Sequence, residues 1–204
     1  MTLFSAIRLA AKAHRGQMRL DGTPYIEHPL AVLELLWEIS LDLPPNVYTT
    51  AILHDVLEDT DVTYEELHEC AGSDIAAVVR VLTKDNLYYN LPTVRREKMY
   101  LDRIRAANAI YPYTLLIKLV DRLHNIRTAD VLSEERKWKL LRETRGLYLP
   151  LAERLLGDLP HNLRPIYLRC MDQLNDALDA HRLPPAGASK QKNFARKIFV
   201  PIPA

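Results

Sequence analysis

Cysteine is nearly absent from this chain of 204 residues: Cys70 and Cys170 stand alone, a hundred positions apart. There is no CxxC pair to hold zinc, and two isolated thiols build no disulfide framework, so both read as reduced core thiols. Glycine is scarce as well, at 6 residues against 13 prolines, so most chain breaks must fall at proline. An excess of one charge is missing: 27 Lys plus Arg face 26 Asp plus Glu, a net charge of +1. A dedicated nucleic-acid binder carries a basic surplus, so that class is set aside. No apolar run approaches the roughly 18 residues that a membrane span needs. The opening stretch MTLFSAIRLAAKAHRGQ turns basic only after its short apolar part, the reverse of a secretion signal. These absences predict a soluble cytoplasmic protein without nucleic-acid or membrane partners; they leave its oligomeric state open. What remains is ordinary: 48% apolar and 26% charged residues, enough to bury a core without staples. The length fits one domain and an extension.

Apolar residues recur at spacings of three and four between the prolines, which predicts helices. The first runs to about His14, the second over 29–40 and the third over 45–57, with Pro45 suited to a first turn. Thr63 and Glu66 form a capping-box pattern that opens a helix ending at Gly72, and Ser73 reads as the cap of the next, to about Leu82. Residues 83–91 read as a loop. Helices over 93–109 and 113–129 are separated by Tyr111-Pro112; others begin near Ser133, Leu147 and Pro160, the last ending at His181. No stretch alternates as a strand does, and no solenoid repeat is present. The expected fold is all-α, nine or ten helices around one core, over residues 1–183. Residues 184–204 read as a flexible, solvated tail, weakly basic through Lys190, Lys192, Arg196 and Lys197.

Three polar clusters interrupt the apolar pattern. His54-Asp55-Val56-Leu57-Glu58-Asp59 ends an apolar helix, and helical spacing sets His54 by Glu58 and Asp55 by Asp59. Buried acids need a partner or a metal, and this run looks like ligands plus acid–base groups. In the run 117–128, Asp121 and Asn125 share a face. Arg122 and Arg127 flank them and suit phosphate. Asp121 reads either as a site acid or as a partner of Arg122. The third run, 13–29, is a polar loop with Gly16 and Gly22 at turns. His28, before Pro29, is expected outside the α region and able to project toward a site. Two imidazoles and two carboxylates, from His28, His54, Asp55 and Asp121, suit Mn²⁺, Fe²⁺ or Zn²⁺ better than Ca²⁺.

The order H…HD…D resembles the HD phosphohydrolase superfamily. More closely, AHRGQMR with GTPYIEHP, AILHDVLEDTDVTYEEL, VLTKDN and LLIKLVDRLHNIRT resemble the hydrolase domain of the RelA/SpoT homologues, which degrade the alarmone ppGpp. The resemblance covers about residues 5–157, including GLYLPLAERLLG. Because the chain is short, it looks like a small alarmone hydrolase. The resemblance implies His28, His54, Asp55 and Asp121 as ligands of one Mn²⁺ per chain. It implies Glu58 and Asp59 as the pair that orients the water and moves its proton. Arg19 matches a residue packing on the base, Asn125 and Thr128 line the nucleotide pocket, and Lys118 fits the family's IKL pattern.

The same resemblance implies attack by water on the 3′-diphosphate of ppGpp or pppGpp, releasing pyrophosphate and GDP or GTP. Lys84, Arg95, Arg96 and Lys98 are expected contacts to the 5′ phosphates. One departure stands out. Where the family carries a basic run at the base loop, this chain has Arg19-Leu20-Asp21. Leu20 and Asp21 are therefore expected at the base, and an adenosine alarmone (ppApp or pApp) or NADPH becomes an alternative substrate. Another HD phosphohydrolase acting on 5′-monophosphates, and a module that binds an alarmone without cleaving it, are the competing readings.

Overall fold

Among the residues that the computed structural model of the protein describes, 1–84 and 91–181, every regular element is helical. The all-α expectation holds. The tail over 184–204 and most of the loop over 83–91 lie outside the described residues. The chain runs through α1 (Leu3–Ala13), α2 (Glu27–Ile39), α3 (Pro45–Leu53), α4 (Val56–Asp59), α5 (Tyr64–Ala71) and α6 (Ser73–Leu82). It continues through α7 (Thr93–Asn108), α8 (Thr114–Arg127), α9 (Glu134–Glu143), α10 (Leu149–Leu155) and α11 (Arg164–Ala180). A 3₁₀ turn at Ala129–Val131 and a π turn at Thr144–Tyr148 join the later helices.

Local signals place most of these ends. The capping box at α5 forms as expected: the Thr63 hydroxyl accepts from the Glu66 N–H at 3.2 Å, and the Glu66 carboxylate accepts from the Thr63 N–H at 2.9 Å. Gly72, at φ +89°, then turns the chain into α6, where Ser73 is the first helical residue rather than the cap. Two other expectations are corrected. His28 lies inside the first turn of α2, where the missing N–H of Pro29 leaves no helical bond unmade. The expected helix over 45–57 is two pieces, interrupted at His54-Asp55. The His54 Nδ1–H donates to the Ala51 carbonyl at 2.7 Å, the acceptor that a continuing helix would offer the Asp55 N–H.

The core centres on α8. Eleven of its 14 residues are buried, because α2, α3, α6, α7, α9 and α11 all pack on it. A helix surrounded in this way is apolar nearly all round. Leu115, Leu116, Ile117, Leu119, Val120 and Leu123 have no exposed surface. Burying each contributes about 1.5–3 kcal/mol. Three charged residues of α8 are nonetheless buried: Lys118, Asp121 and Arg122. Arg122 is satisfied away from any cleft. Its guanidinium donates to Thr144 Oγ1 at 2.8 Å and the Leu140 carbonyl at 2.9 Å, and lies 3.8 Å from the Tyr148 ring centre. Its expected role in phosphate recognition is therefore corrected: it fastens α8 to α9 and the π turn. Arg127 points outward, to Gln173 at 3.1 Å and Glu38 at 3.9 Å. Cys170 is buried, its thiol pushed up to about 12 by burial, but Cys70 is exposed rather than in the core.

Candidate metal centre and nucleotide cleft

Three places meet at one point: the N-terminus of α2, the α3–α4 junction and the middle of α8. They bring His28, His54, Asp55 and Asp121 together. His28 Nε2 is 3.1 Å from Asp121 Oδ1 and 3.3 Å from Asp55 Oδ2; His54 Nε2 is 3.1 Å from Asp55 Oδ2 and 3.7 Å from Asp121 Oδ1. Donor atoms of His28, His54 and Asp121 all lie within 4.8 Å of one another, and all three residues are buried. The donors fit a divalent ion. His54 Nε2 is buried without a hydrogen-bond partner. Its Nδ1–H is committed to Ala51, so Nε2 is the nitrogen left facing the two carboxylates, and in a neutral ring it carries the lone pair that an ion would take. A buried nitrogen of this kind costs about 1–3 kcal/mol unless something occupies it.

The electrostatics are those of an acid–imidazole cluster. Burial raises Asp121, but the Lys118 ammonium at 2.7 Å and both imidazoles outweigh it and hold the carboxyl well below the usual range. Asp55 is likewise held low, with burial opposed chiefly by His54 and His28. Burial would lower both imidazoles; Asp121 and Asp55 raise His28, and Asp55 and Asp121 raise His54 to about 10.

A set of supports surrounds these four. Asn125 Nδ2 donates to Asp121 Oδ1 at 2.7 Å. The Tyr25 hydroxyl reaches both Asp55 Oδ2, at 2.8 Å, and Asp59 Oδ2, at 2.6 Å. Tyr25 itself is stacked on His14 at a ring separation of 4.7 Å, and His14 holds Gln17, whose amide donates to the Asp59 carbonyl. His124 Nδ1 lies 2.8 Å from His28 Nδ1. Burial, then His28 and Arg19, lowers His124 to about 4, so it is neutral. Sequence reasoning missed Tyr25, His124, His14 and Gln17 as supports. The AHRGQMR, GTPYIEHP and RLHN runs contained all four, but no local spacing tied them to the ligands.

Glu58 and Asp59 stand at the mouth of the site. Glu58 accepts from the Lys84 N–H at 2.9 Å. Its residue is exposed and lines two cavities beside the ligands. Burial raises its carboxyl above the ordinary range against the pull of Lys118 and the Lys84 N–H. Two cavities meet at this pair. One, of about 380 Å³, is lined by Met18, Arg19, Leu20, Asn125, Thr128, Val131 and Leu132 together with the acids. The other, of about 700 Å³, is lined by Arg80, Lys84, Arg96, Arg103 and Lys139 beside Glu58, Asp59 and Glu97. Lys84 is 3.1 Å from Glu97. Arg95 and Lys98 are exposed and lie outside this lining. Arg19 donates to Thr128 at 3.1 Å and separates the first cavity from a rear one of about 390 Å³. Leu20 faces the first cavity. Asp21 is turned to the rear one, its carboxylate taken by the N–H and hydroxyl of Thr23 at 2.9 and 2.7 Å.

The HD domain model matches residues 6–156. The chain is 41% identical over 149 residues to a GTP pyrophosphokinase of Myxococcus xanthus, covering 72% of this chain and 19% of that one. It is 39% identical over 151 residues to a guanosine-3′,5′-bis(diphosphate) 3′-pyrophosphohydrolase of Aquifex aeolicus, covering 74% and 21%. The chain spans about a fifth of the length of the curated relatives it matches. Among solved structures it is similar to a metazoan ortholog of SpoT that hydrolyzes ppGpp, with TM-score 0.62 and 25% identity over 85% of this chain and 94% of that one.

Proposed function

The chain belongs to the HD domain family, homologous to the SpoT/RelA ppGpp hydrolases, and from that premise we propose that it is a metal-dependent 3′-pyrophosphohydrolase of ppGpp and pppGpp. The observation that carries this reading is the convergence of His28, His54, Asp55 and Asp121 beside Glu58 and Asp59, where a cavity lined by Arg19, Leu20, Asn125 and Thr128 meets one rich in Arg and Lys. His28, His54, Asp55 and Asp121 would hold one divalent ion; their mixed N/O chemistry suits Mn²⁺, Fe²⁺ or Zn²⁺, and the resemblance to the alarmone hydrolases selects Mn²⁺ among them. When bound, the ion lowers the pKa of water and offsets phosphate charge.

The protein's own groups then divide the work. The base and sugar enter the smaller cavity against Arg19, Leu20, Asn125 and Thr128. Phosphates face the larger one, where Lys84 and Arg96 line the wall; Arg95 and Lys98 do not share that role. Asp59, fixed by Tyr25, orients the attacking water. Glu58, its carboxyl raised above the ordinary range by burial, is suited to take its proton. As the water oxygen bonds to phosphorus, the bond to the 3′ oxygen breaks, and that oxygen takes up a proton. The products are pyrophosphate and GDP or GTP. Asp21 faces away from the base, so an acid at this position does not by itself redirect the enzyme to adenosine alarmones.

We assign residues 1–183 to this hydrolase domain and 184–204 to a separate extension, and propose the cytoplasm as its compartment. No helix among the described residues is long and apolar enough to cross a membrane. The test is mutation of the ligands. His54→Ala and Asp55→Ala, verified as folded by circular dichroism, should abolish Mn²⁺-dependent pyrophosphate release from ppGpp. Near-normal turnover by either variant would overturn the site assignment.

A further inference from the structure

The two imidazoles of the metal cluster are oriented by different kinds of partner. His54 Nδ1 faces a backbone carbonyl, which only accepts, so a proton is fixed on Nδ1 and, in the neutral ring that an ion requires, Nε2 carries the lone pair. His28 Nδ1 faces another imidazole nitrogen, His124 Nδ1, at 2.8 Å. That contact carries a single proton, which can sit on either ring. If it sits on His124, neutral His28 carries its own proton on Nε2 and cannot ligate. If it sits on His28, Nε2 is free to bind a cation, and His124 must carry its proton on Nε2. His28 cannot be turned to escape this choice, because its Nε2 edge is held between Asp55 and Asp121 and its ring packs against Tyr25, His54 and His124.

We propose that His124 is a positioning residue for the metal centre: by accepting the Nδ1–H of His28 it selects the tautomer in which His28 Nε2 can hold the ion. This rests on the metal reading above. It gives His124 a role distinct from its neighbours in the same turn of α8, Asp121 as ligand and Asn125 as that ligand's support. It also directs the His124 Nε2–H away from the ion. The rear cavity, lined by His124 together with Asp21, Glu27 and Glu34, offers acceptors on that side.

The test is metal affinity, measured by Mn²⁺ titration with electron paramagnetic resonance detection on the full chain, with thermal unfolding in EDTA as the fold control. His124→Asn keeps an acceptor near the Nδ1 position; His124→Leu removes it. Partners of ligating histidines typically contribute 10- to 100-fold in metal affinity. His124→Leu should therefore weaken Mn²⁺ binding by about that factor, while His124→Asn stays within about threefold of wild type. The wild-type and Asn proteins should unfold together in EDTA. Equal affinity of wild type and His124→Leu would overturn the proposal, as would equal weakening of both variants. Failure of the wild type to bind one Mn²⁺ would instead overturn the metal reading, and this inference with it. If His124→Leu does not fold, ¹⁵N–¹H imidazole spectra of the wild type loaded with diamagnetic Zn²⁺ decide: a proton on His124 Nε2 supports the proposal and a proton on His124 Nδ1 refutes it.

Discussion

Replacing Lys118 by Met separates the metal site from the fold that carries it. Lys118 Nζ is 2.7 Å from Asp121 Oδ2, with the two side chains 11% and 5% exposed. Methionine keeps the aliphatic volume, so cavity formation is a minor effect. The variant leaves Asp121 buried and ionised without its nearest cation, held only by the imidazoles of His28 and His54 and the Asn125 amide. Breaking such a pair from one side costs about 3–5 kcal/mol. For a chain of this size each kcal/mol moves Tm by about 2–4 °C, so the metal-free variant should melt about 6–20 °C below wild type. A bound divalent cation supplies the missing positive charge and no longer faces the repulsion of Lys118. The loss should therefore shrink to less than half in saturating Mn²⁺. Urea unfolding in EDTA and in Mn²⁺ measures both quantities. Adding Asp121→Asn to Lys118→Met should recover most of the metal-free loss, because the buried charge is gone. A metal-free loss below about 1 kcal/mol, the range of exposed pairs, would refute the reasoning. So would an equal loss with and without Mn²⁺.

Two further outcomes follow from the same geometry. His28 and His54 have folded pKa values above the unfolded imidazole value of about 6.5. Their contribution to metal-free stability is complete below that pH and declines as pH rises toward about 10, the His54 value. Mn²⁺ affinity should change in the opposite sense over the same window, because the ligating imidazoles must be neutral. Urea midpoints in EDTA and Mn²⁺ titrations between about pH 6 and 9 check both signs. Tyr25→Phe removes the hydroxyl that ties Asp59 to Asp55; it should lower kcat for ppGpp about 10- to 100-fold with a smaller change in KM. A change confined to KM would place Tyr25 in substrate binding instead.

The helices were legible because their signals are local. The apolar residues of α8 recur at the helical period, the Thr63–Glu66 box spans one turn, and Gly72 supplies a positive φ where α5 must stop. The set His28, His54, Asp55 and Asp121 was legible because its residue types imply a shared ion and its order matches a known family. What was not legible depends on contacts across the chain. Tyr25 meets Asp59 across 34 positions and His28 meets His124 across 96, and no spacing rule reaches that far. Arg122 looked like a phosphate ligand because it sits beside Asp121; only the packing of α9 and the π turn shows that it is buried. The interruption at His54-Asp55 was hidden because the His54 side chain, rather than a proline or glycine, takes up the Ala51 carbonyl. Asp21 looked like a base contact until its carboxylate proved to be closing its own turn with Thr23.

The most direct measurement is pyrophosphate release by the purified protein from ppGpp and ppApp side by side, with Mn²⁺, with Mg²⁺ and with EDTA. The account predicts release of pyrophosphate and GDP from ppGpp in Mn²⁺ and none in EDTA. No release from ppGpp in any metal, or release that survives EDTA, would contradict it.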